Sequence, residues 1–482
     1  MPLNHYRLSK PIRYLLLFSM LFSSICFGQK SKNTQDDVKY QKLARDIFRE
    51  LIEMNTTTSK GSTVAAEAMA ARLRDAGFRT DDIQVTGPDT LHKNLVVRYR
   101  GKGTLRPVLF ICHLDEVEAL PQDWSSDPFT FLEKDGYFYG RGTTDIKCED
   151  ADLITNLIRL KQEKFVPDRD IIVALTADEE GGSNNGVNWL LTNRRDLIDA
   201  EFGINPDGGG GSLRNGQHMA LEIQTSEKIY ASFDVTARNK GGHSSLPVKS
   251  NAIYELSVGL MRLSHFDFPV RLNETTRNYF EQSALKETGQ VKSDIQTILR
   301  NPSDTAAANR LAASSAYYNA MMRTTCVATM LDGGHAENAL PQTATATVNC
   351  RMLPEDNPEN VLANLKKVIA DTAISVKCTY SSFVAPLSPL RDEVRIPVEQ
   401  IVASMWPGVK VSPVMSTGAT DSKYLRRAGI PAYGISGMFT DMDDVRAHGK
   451  DERIGVSEFY DGVEFMYNFI KAVSIAVGLS QR

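Results

Sequence analysis

Four short β-rich runs, LVVRY at 95–99, VLFIC at 108–112, IIVAL at 171–175 and FGIN at 202–205, alternate with helical stretches after Lys147 and Val187. Short runs that are apolar throughout suit strands buried on both faces, and their alternation with helices predicts an α/β sheet covered by helices on both sides. Ahead of them, Leu43, Ile47 and Leu51 recur at helical spacing, and VAAEAMAARLRDAG closes on Gly77, a helix terminator. Near Lys228 the pattern changes. KIYASFDVTAR places Ile229, Ala231, Phe233, Val235 and Ala237 on one face, and TATATVNCRML does the same with Ala344, Ala346, Val348, Cys350 and Met352. Strict alternation marks strands with one dry and one wet face. Between them a helix is expected near 251–265, then a long polar helical stretch through residue 325. After about Pro386 the first pattern returns in VKVSPVM, PAYGIS and an amphipathic helix, EFMYNFIKAVSIAVG. The expected fold is one α/β domain interrupted by an inserted α+β domain.

Function in α/β sheets gathers at the carboxyl ends of strands. Four such ends carry acids or imidazoles here: CHLDE (His113, Asp115, Glu116), GRGTTDIKCED (Asp145 ahead of a helix), LTADEEGG (Asp178, Glu179, Glu180) and INPDGGGG (Asp207); HGKDERI adds His448 before the last helix. Each has a plain reading alone: a hydrogen-bonded structural histidine, acids complementing a helix N-terminus, ordinary turns. Together they would bring acidic or imidazole groups from five segments to neighbouring strand ends, where they repel one another unless cations are present. Two histidines with several carboxylates and no thiolate suit zinc, manganese or cobalt. More ligands than one tetrahedral zinc requires suggests two metals.

The set H-x-D, GRG-x-x-D-x-K, DEE-GG, Asp207, GGHSS-x-P and H-G-x-D-E resembles the dinuclear zinc metallopeptidase family of aminoacylases, acetylornithine deacetylase, succinyl-diaminopimelate desuccinylase and glutamate carboxypeptidase. It covers nearly the whole mature chain in order, including an inserted lid. The resemblance implies that His113 and Asp207 hold one zinc, Glu180 and His448 the other, and that Asp145 bridges both, with Co2+ or Mn2+ as alternatives. It implies Glu179 as general base and Asp115 orienting the His113 imidazole. From the insert, GGHSSLP implies His243 as donor to the tetrahedral oxyanion, and GGHAENALPQTATATVNCR implies Asn338 and Arg351 at a substrate carboxylate. STGATDS implies a carboxylate-binding turn with amides near Gly418. Without the resemblance, Arg351 reads as a residue on an exposed sheet and His243 as part of a solvent-facing turn.

Some features depart from the family pattern. Cys148 stands where a glycine is frequent, and Glu116 and Glu118 replace apolar residues, which predicts a more acidic pocket rim. The segment around TTRNYFEQSALKE makes a longer lid, as in yeast-type vacuolar carboxypeptidase and secreted N-acyl amino acid hydrolases; whether His243 then acts in its own chain or across a homodimer formed through the lid stays open. The expected activity is hydrolysis of a peptide or N-acyl bond beside a free carboxylate, by a carboxypeptidase or N-acyl amino acid hydrolase. A dipeptidase and a catalytically silent binding homologue are the rivals.

Composition narrows partners and compartment. A formal net charge of −4 over 482 residues supplies no basic field for nucleic acid, so the partner is expected to be a small molecule. Arg7, Lys10 and Arg13 precede the apolar run YLLLFSMLFSSICF, which reads as a signal peptide over residues 1–28 and predicts an exported, periplasmic or secreted protein without a stable membrane anchor. The catalytic domain is then expected over 29–226 plus 384–482 and the lid over 227–383. Five cysteines remain after the signal, an odd, scattered set from which no disulfide framework is expected.

Overall fold

The structure, a computed structural model, describes residues 35–476; the expected signal segment lies outside the described residues. Every residue of the strands Val108–His113 and Ile171–Thr176 is buried, as their uninterrupted apolar character requires. They pair in parallel from Val108 opposite Ile171 to His113 opposite Thr176. Both lie inside a six-stranded sheet ordered Ile83–Thr86, Asn94–Tyr99, Ile171–Thr176, Val108–His113, Phe202–Ile204, Ala432–Tyr433. The first two strands join antiparallel and the last four run parallel. That parallel run brings the carboxyl ends carrying CHLDE, TADEE and NPDG to one edge.

The pleat divides the core into two layers. Val108, Phe110 and Cys112 pack with the helices Gln35–Ile52, Lys147–Gln162 and Val456–Ser474, while Leu109 and Ile111 pack with the helices Gly186–Asn193 and Ser422–Arg427. Cys148 is buried in the first layer. The expected helix-covered α/β domain is present, with one difference. Lys410–Ser416 does not rejoin the main sheet but pairs in parallel with Gln217–Glu227, in a separate four-stranded sheet completed by Gly210–Arg214 and Phe439–Asp441.

The insert is built on a sheet ordered Thr325–Gly333, Thr343–Met352, Ile229–Arg238, Ile374–Ser381. The alternating faces are as expected: odd residues from Ile229 to Ala237 are buried against Ala346, Val348 and Cys350 and the helix Ala252–Ser264. One expectation is overturned, because Cys326 and Cys350 form a disulfide. They lie 24 residues apart and meet directly across the ladder. The long polar stretch is four helices between residues 274 and 322, and it reaches back to the second sheet: Phe280, Ile295 and Met321 share a core with Met415.

Candidate metal centre

Five of the expected residues converge at the strand ends. The Nε2 of His113 lies 3.1 Å from Asp145 Oδ1, and the Nε2 of His448 lies 2.9 Å from Asp145 Oδ2 and 2.7 Å from Glu180 Oε1. Asp145 thus turns one oxygen to each histidine. Ligand atoms of His113, Asp145 and Asp207 lie within 4.8 Å of one another, as do those of Asp145, Glu180 and His448. The two triads share Asp145. A third triad, His113, Glu179 and Glu180, meets the same limit.

The electrostatics of this cluster fit cations. Burial works against the charge on Asp145, yet hydrogen bonds with His113 and His448 hold it below the ordinary carboxylate range. Asp207 lacks such help: burial, reinforced by the charge of Asp145, pushes it up to about 8. Glu179 is raised well above its ordinary value by burial and by Asp421 and Asp207. His448 is raised to about 10 by its bonds to Asp145 and Glu180. Carboxylates this close, in an oxygen and nitrogen donor set, are the surroundings that two hard or borderline divalent ions would neutralise.

The backbone prepares these positions. His113 donates from Nδ1 to the carbonyl of Asp115 at 2.9 Å, which leaves the Nε2 lone pair for the cluster. The Asp115 carboxylate does something other than expected. Its nearer oxygen is 3.8 Å from that ring nitrogen, and its two oxygens accept from the N–H groups of Glu179 and Glu180 at 3.1 and 2.9 Å. Asp115 therefore ties the histidine strand to the DEE loop through carbonyl and carboxylate separately. The plain reading of DEE as a helix N-terminus does not hold, since the next helix begins at Gly186 with no acid in its first turn.

Residues outside the expected set complete the frame. Glu452, fully buried, accepts from the N–H groups of Gly142, Thr144 and Asp145 at 3.1, 2.7 and 3.1 Å and pairs with Arg141 at 2.7 Å. It thereby fixes the Asp145 loop to the His448 loop. Glu116 is not part of an acidic rim: it is buried, 2.6 Å from the equally buried Lys147, and accepts the Thr56 N–H at 2.8 Å. Only Glu118 of that pair is exposed. Gly142, at φ +84°, packs where a Cβ would meet Lys147 Cδ at 2.9 Å, so the loop requires glycine. Asp421 receives Asn185 Nδ2 at 2.5 Å and lies beside Thr176, carrying a further acid to the Glu179 side. Asp421 and Glu452 stand inside the motifs STGATDS and HGKDE, and only that placement marked them.

The lid residues stand differently. His243 is exposed, in a two-residue ladder with Ala339, and makes no hydrogen bond to the cluster. The Ser245 N–H donates to its Nδ1 at 3.2 Å, which places the ring proton of the neutral form on Nε2. Asn338 meets Ser244 through its carbonyl. Arg351 stacks on Tyr230 at 4.8 Å on the half-solvated face. The Gly418 N–H is taken by Ser416 Oγ at 3.0 Å.

A family model described as Peptidase family M20/M25/M40 matches residues 109–472. The chain belongs to this peptidase family. Human N-fatty-acyl-amino acid synthase/hydrolase PM20D1 is 29% identical over 379 residues, covering 76% of this chain and 74% of its own. Pig aminoacylase-1 is 24% identical and covers 89% and 94%. Among solved structures, the M20 metallo-carboxypeptidase Sso-CP2 from Sulfolobus solfataricus aligns with a TM-score of 0.66 at 16% identity, over 90% of this chain and 99% of that one, and shares its fold. As an M20 peptidase, this chain is a metal-dependent amidohydrolase.

Proposed function

We propose that the protein hydrolyses an amide bond next to a free carboxylate, as an N-acyl amino acid hydrolase or carboxypeptidase, with two zinc ions. The observation that carries the reading is Asp145, which turns one oxygen to His113 and the other to His448 and belongs to both triads, one with Asp207 and one with Glu180. His113, Asp145 and Asp207 would hold one ion, and Asp145, Glu180 and His448 the other. When bound, such ions acidify water and polarise a carbonyl. Glu179 takes the proton from the attacking water and hands it to the leaving amine; its raised proton affinity suits that exchange near neutral pH. His243, with its proton on Nε2, donates to the oxyanion, and Arg351, Asn338 and the Gly418 turn bind the carboxylate. The names of the human and pig relatives favour an N-acyl amino acid over a dipeptide. A silent homologue is disfavoured because every donor and the base are present.

Among the described residues the His243 ring is bonded only to Ser245 and to none of the cluster residues, which favours a second copy. The edge strand Thr325–Gly333 exposes Val327, Met330 and Leu331, and the helix Ala252–Ser264 exposes Tyr254, Val258 and Met261 beside it. An apolar free edge of this kind is usually covered, here by its own twin in a homodimer. We assign the protein to the exported class as well; the Cys326–Cys350 bond supports that compartment, since such bonds persist where it is oxidising.

The test is release of amine from a panel of N-acyl amino acids and dipeptides, by zinc-loaded and metal-stripped protein. Cleavage confined to substrates with a free carboxylate, and to the loaded protein, is expected. Cleavage of amidated substrates at equal rates would overturn the reading.

A further inference from the structure

A cavity of about 880 Å3 opens beside Asp145 and Asp207 and extends to the helices Glu274–Lys286, Gly289–Arg300 and Ala316–Met322. Neither Glu179, Asp421 nor Gly418 lines it, so it is distinct from the side proposed for the carboxylate. It is placed for the other half of the substrate, the acyl group.

Its walls have a definite chemistry. Tyr279 meets Tyr317 and Tyr318 edge-on, with ring centroids 5.7 and 6.4 Å apart. Tyr317 keeps 38% of its surface accessible although it is walled in by the helices, as a cavity-lining ring should. Among these rings sits Glu222, whose carboxylate accepts no hydrogen bond and has no ion pair within 4.0 Å among the described residues; Lys286, the opposing charge that acts on it, is exposed on the surface. Burial pushes the Glu222 carboxyl up. A second acid, Glu287, is held by the Tyr318 hydroxyl at 2.7 Å. The one basic residue in the lining, Arg214, is turned to Asp443 at 3.5 Å. A half-buried carboxylate with no partner among the described residues, against the faces and edges of tyrosines, is the setting that attracts an ammonium group.

Resting on the amidohydrolase reading above, we propose that this cavity is the acyl pocket and that it selects acyl groups ending in a cation, with the ammonium between Glu222 and the rings of Tyr279 and Tyr317. Both acids line the one cavity. Glu222 pairs with Gly210, at the start of the strand that follows the Pro206–Gly208 turn carrying Asp207. An amine several methylenes from the scissile carbonyl would lie between them, and Met438, Met442 and Val445 supply an apolar wall for the methylenes. The fatty chain named for the human relative would leave Glu222 buried against hydrocarbon.

The experiment compares two near-isosteric substrates of the same amino acid, its N-(6-aminohexanoyl) and N-heptanoyl derivatives, in zinc-loaded wild type, Glu222→Gln and Tyr317→Leu. Within each protein the ratio of the two kcat/KM values is read, which cancels any loss of folded enzyme. Wild type is expected to favour the amine by about tenfold or more, and both substitutions to move the ratio towards or below one. Preference of wild type for the heptanoyl substrate, or a ratio unchanged in Glu222→Gln, overturns the inference. Calorimetric binding of 6-aminohexanoate against heptanoate gives a second readout. Should neither substrate be cleaved, the amidohydrolase reading fails while tighter binding of the amino acid still upholds the pocket, and tighter binding of heptanoate overturns it.

Discussion

The catalytic face and the lid carry the residues proposed for one reaction in opposite physical states. On the catalytic face three of the five candidate ligands are locked from behind: His113 by the Asp115 carbonyl, Glu180 in the DEE loop by the Asp115 carboxylate, and Asp145 by Glu452 on its loop. On the lid, His243 is exposed with only Ser245 for support, and Arg351 rests on one ring. Buried ion pairs such as Arg141–Glu452 and Lys147–Glu116 are costly to form and costlier to break, so they hold one geometry. The lid residues meet no such constraint and can arrive with the substrate. On the proposed reading this is a division of labour, in which the metal side is organised in advance and the oxyanion and carboxylate contacts would assemble on closure or on dimerisation.

Four substitutions break or sharpen that contrast. Glu179→Gln is expected to lower kcat by about 10²–10⁴-fold while metal content, read by elemental analysis, stays at the wild-type value. His243→Ala should lower kcat by about 10²–10³-fold with metal affinity and melting temperature unmoved, as an exposed lid donor requires; a fall in metal affinity would mean that the lid helps build the cluster. Glu452→Gln should do the reverse, weakening zinc binding about 10–100-fold in calorimetric titration, because Glu452 positions the Asp145 loop without touching substrate.

The smallest effect concerns pH and the catalytic side alone. Burial raises Glu149 to about 7, against the opposing hydrogen bonds of Ser436 and Asp152. The folded protein therefore keeps this proton between about 4.5 and 7 where the unfolded chain has lost it. Its contribution to stability is complete below about pH 4.5 and lost as the pH climbs through 7. Glu149→Gln should flatten that decline and melt about 2–4 °C above wild type at pH 8, with no difference at pH 4.5; an equal gain at both values would remove the titration as its cause.

The central strands of the main sheet and the two inner strands of the lid sheet were legible because they are either largely apolar or strictly alternating, patterns that follow from burial on two faces or one; the edge strands Ile83–Thr86, Thr325–Gly333 and Ile374–Ser381 carry no such pattern and were not read. The candidate donors were legible because they follow apolar runs or precede helices, where Asp145, Glu180 and Asp207 have no structural reason to crowd. The second sheet was not, since Gln217–Glu227 is half exposed and half buried along its length and shows neither period. The braces were hidden for another reason. Glu452 and Arg141, or Asn185 and Asp421, meet across hundreds of residues and leave no local spacing to read. The Cys326–Cys350 bond depends on the register of two strands, which cysteine counting does not reveal.

The most direct test of the central claim is anomalous diffraction from crystals grown with excess zinc. Two peaks per chain are expected, one against His113 and Asp207, the other against Glu180 and His448, with Asp145 between them. A single peak, or an Asp145 carboxylate turned away from both histidines, would contradict the account.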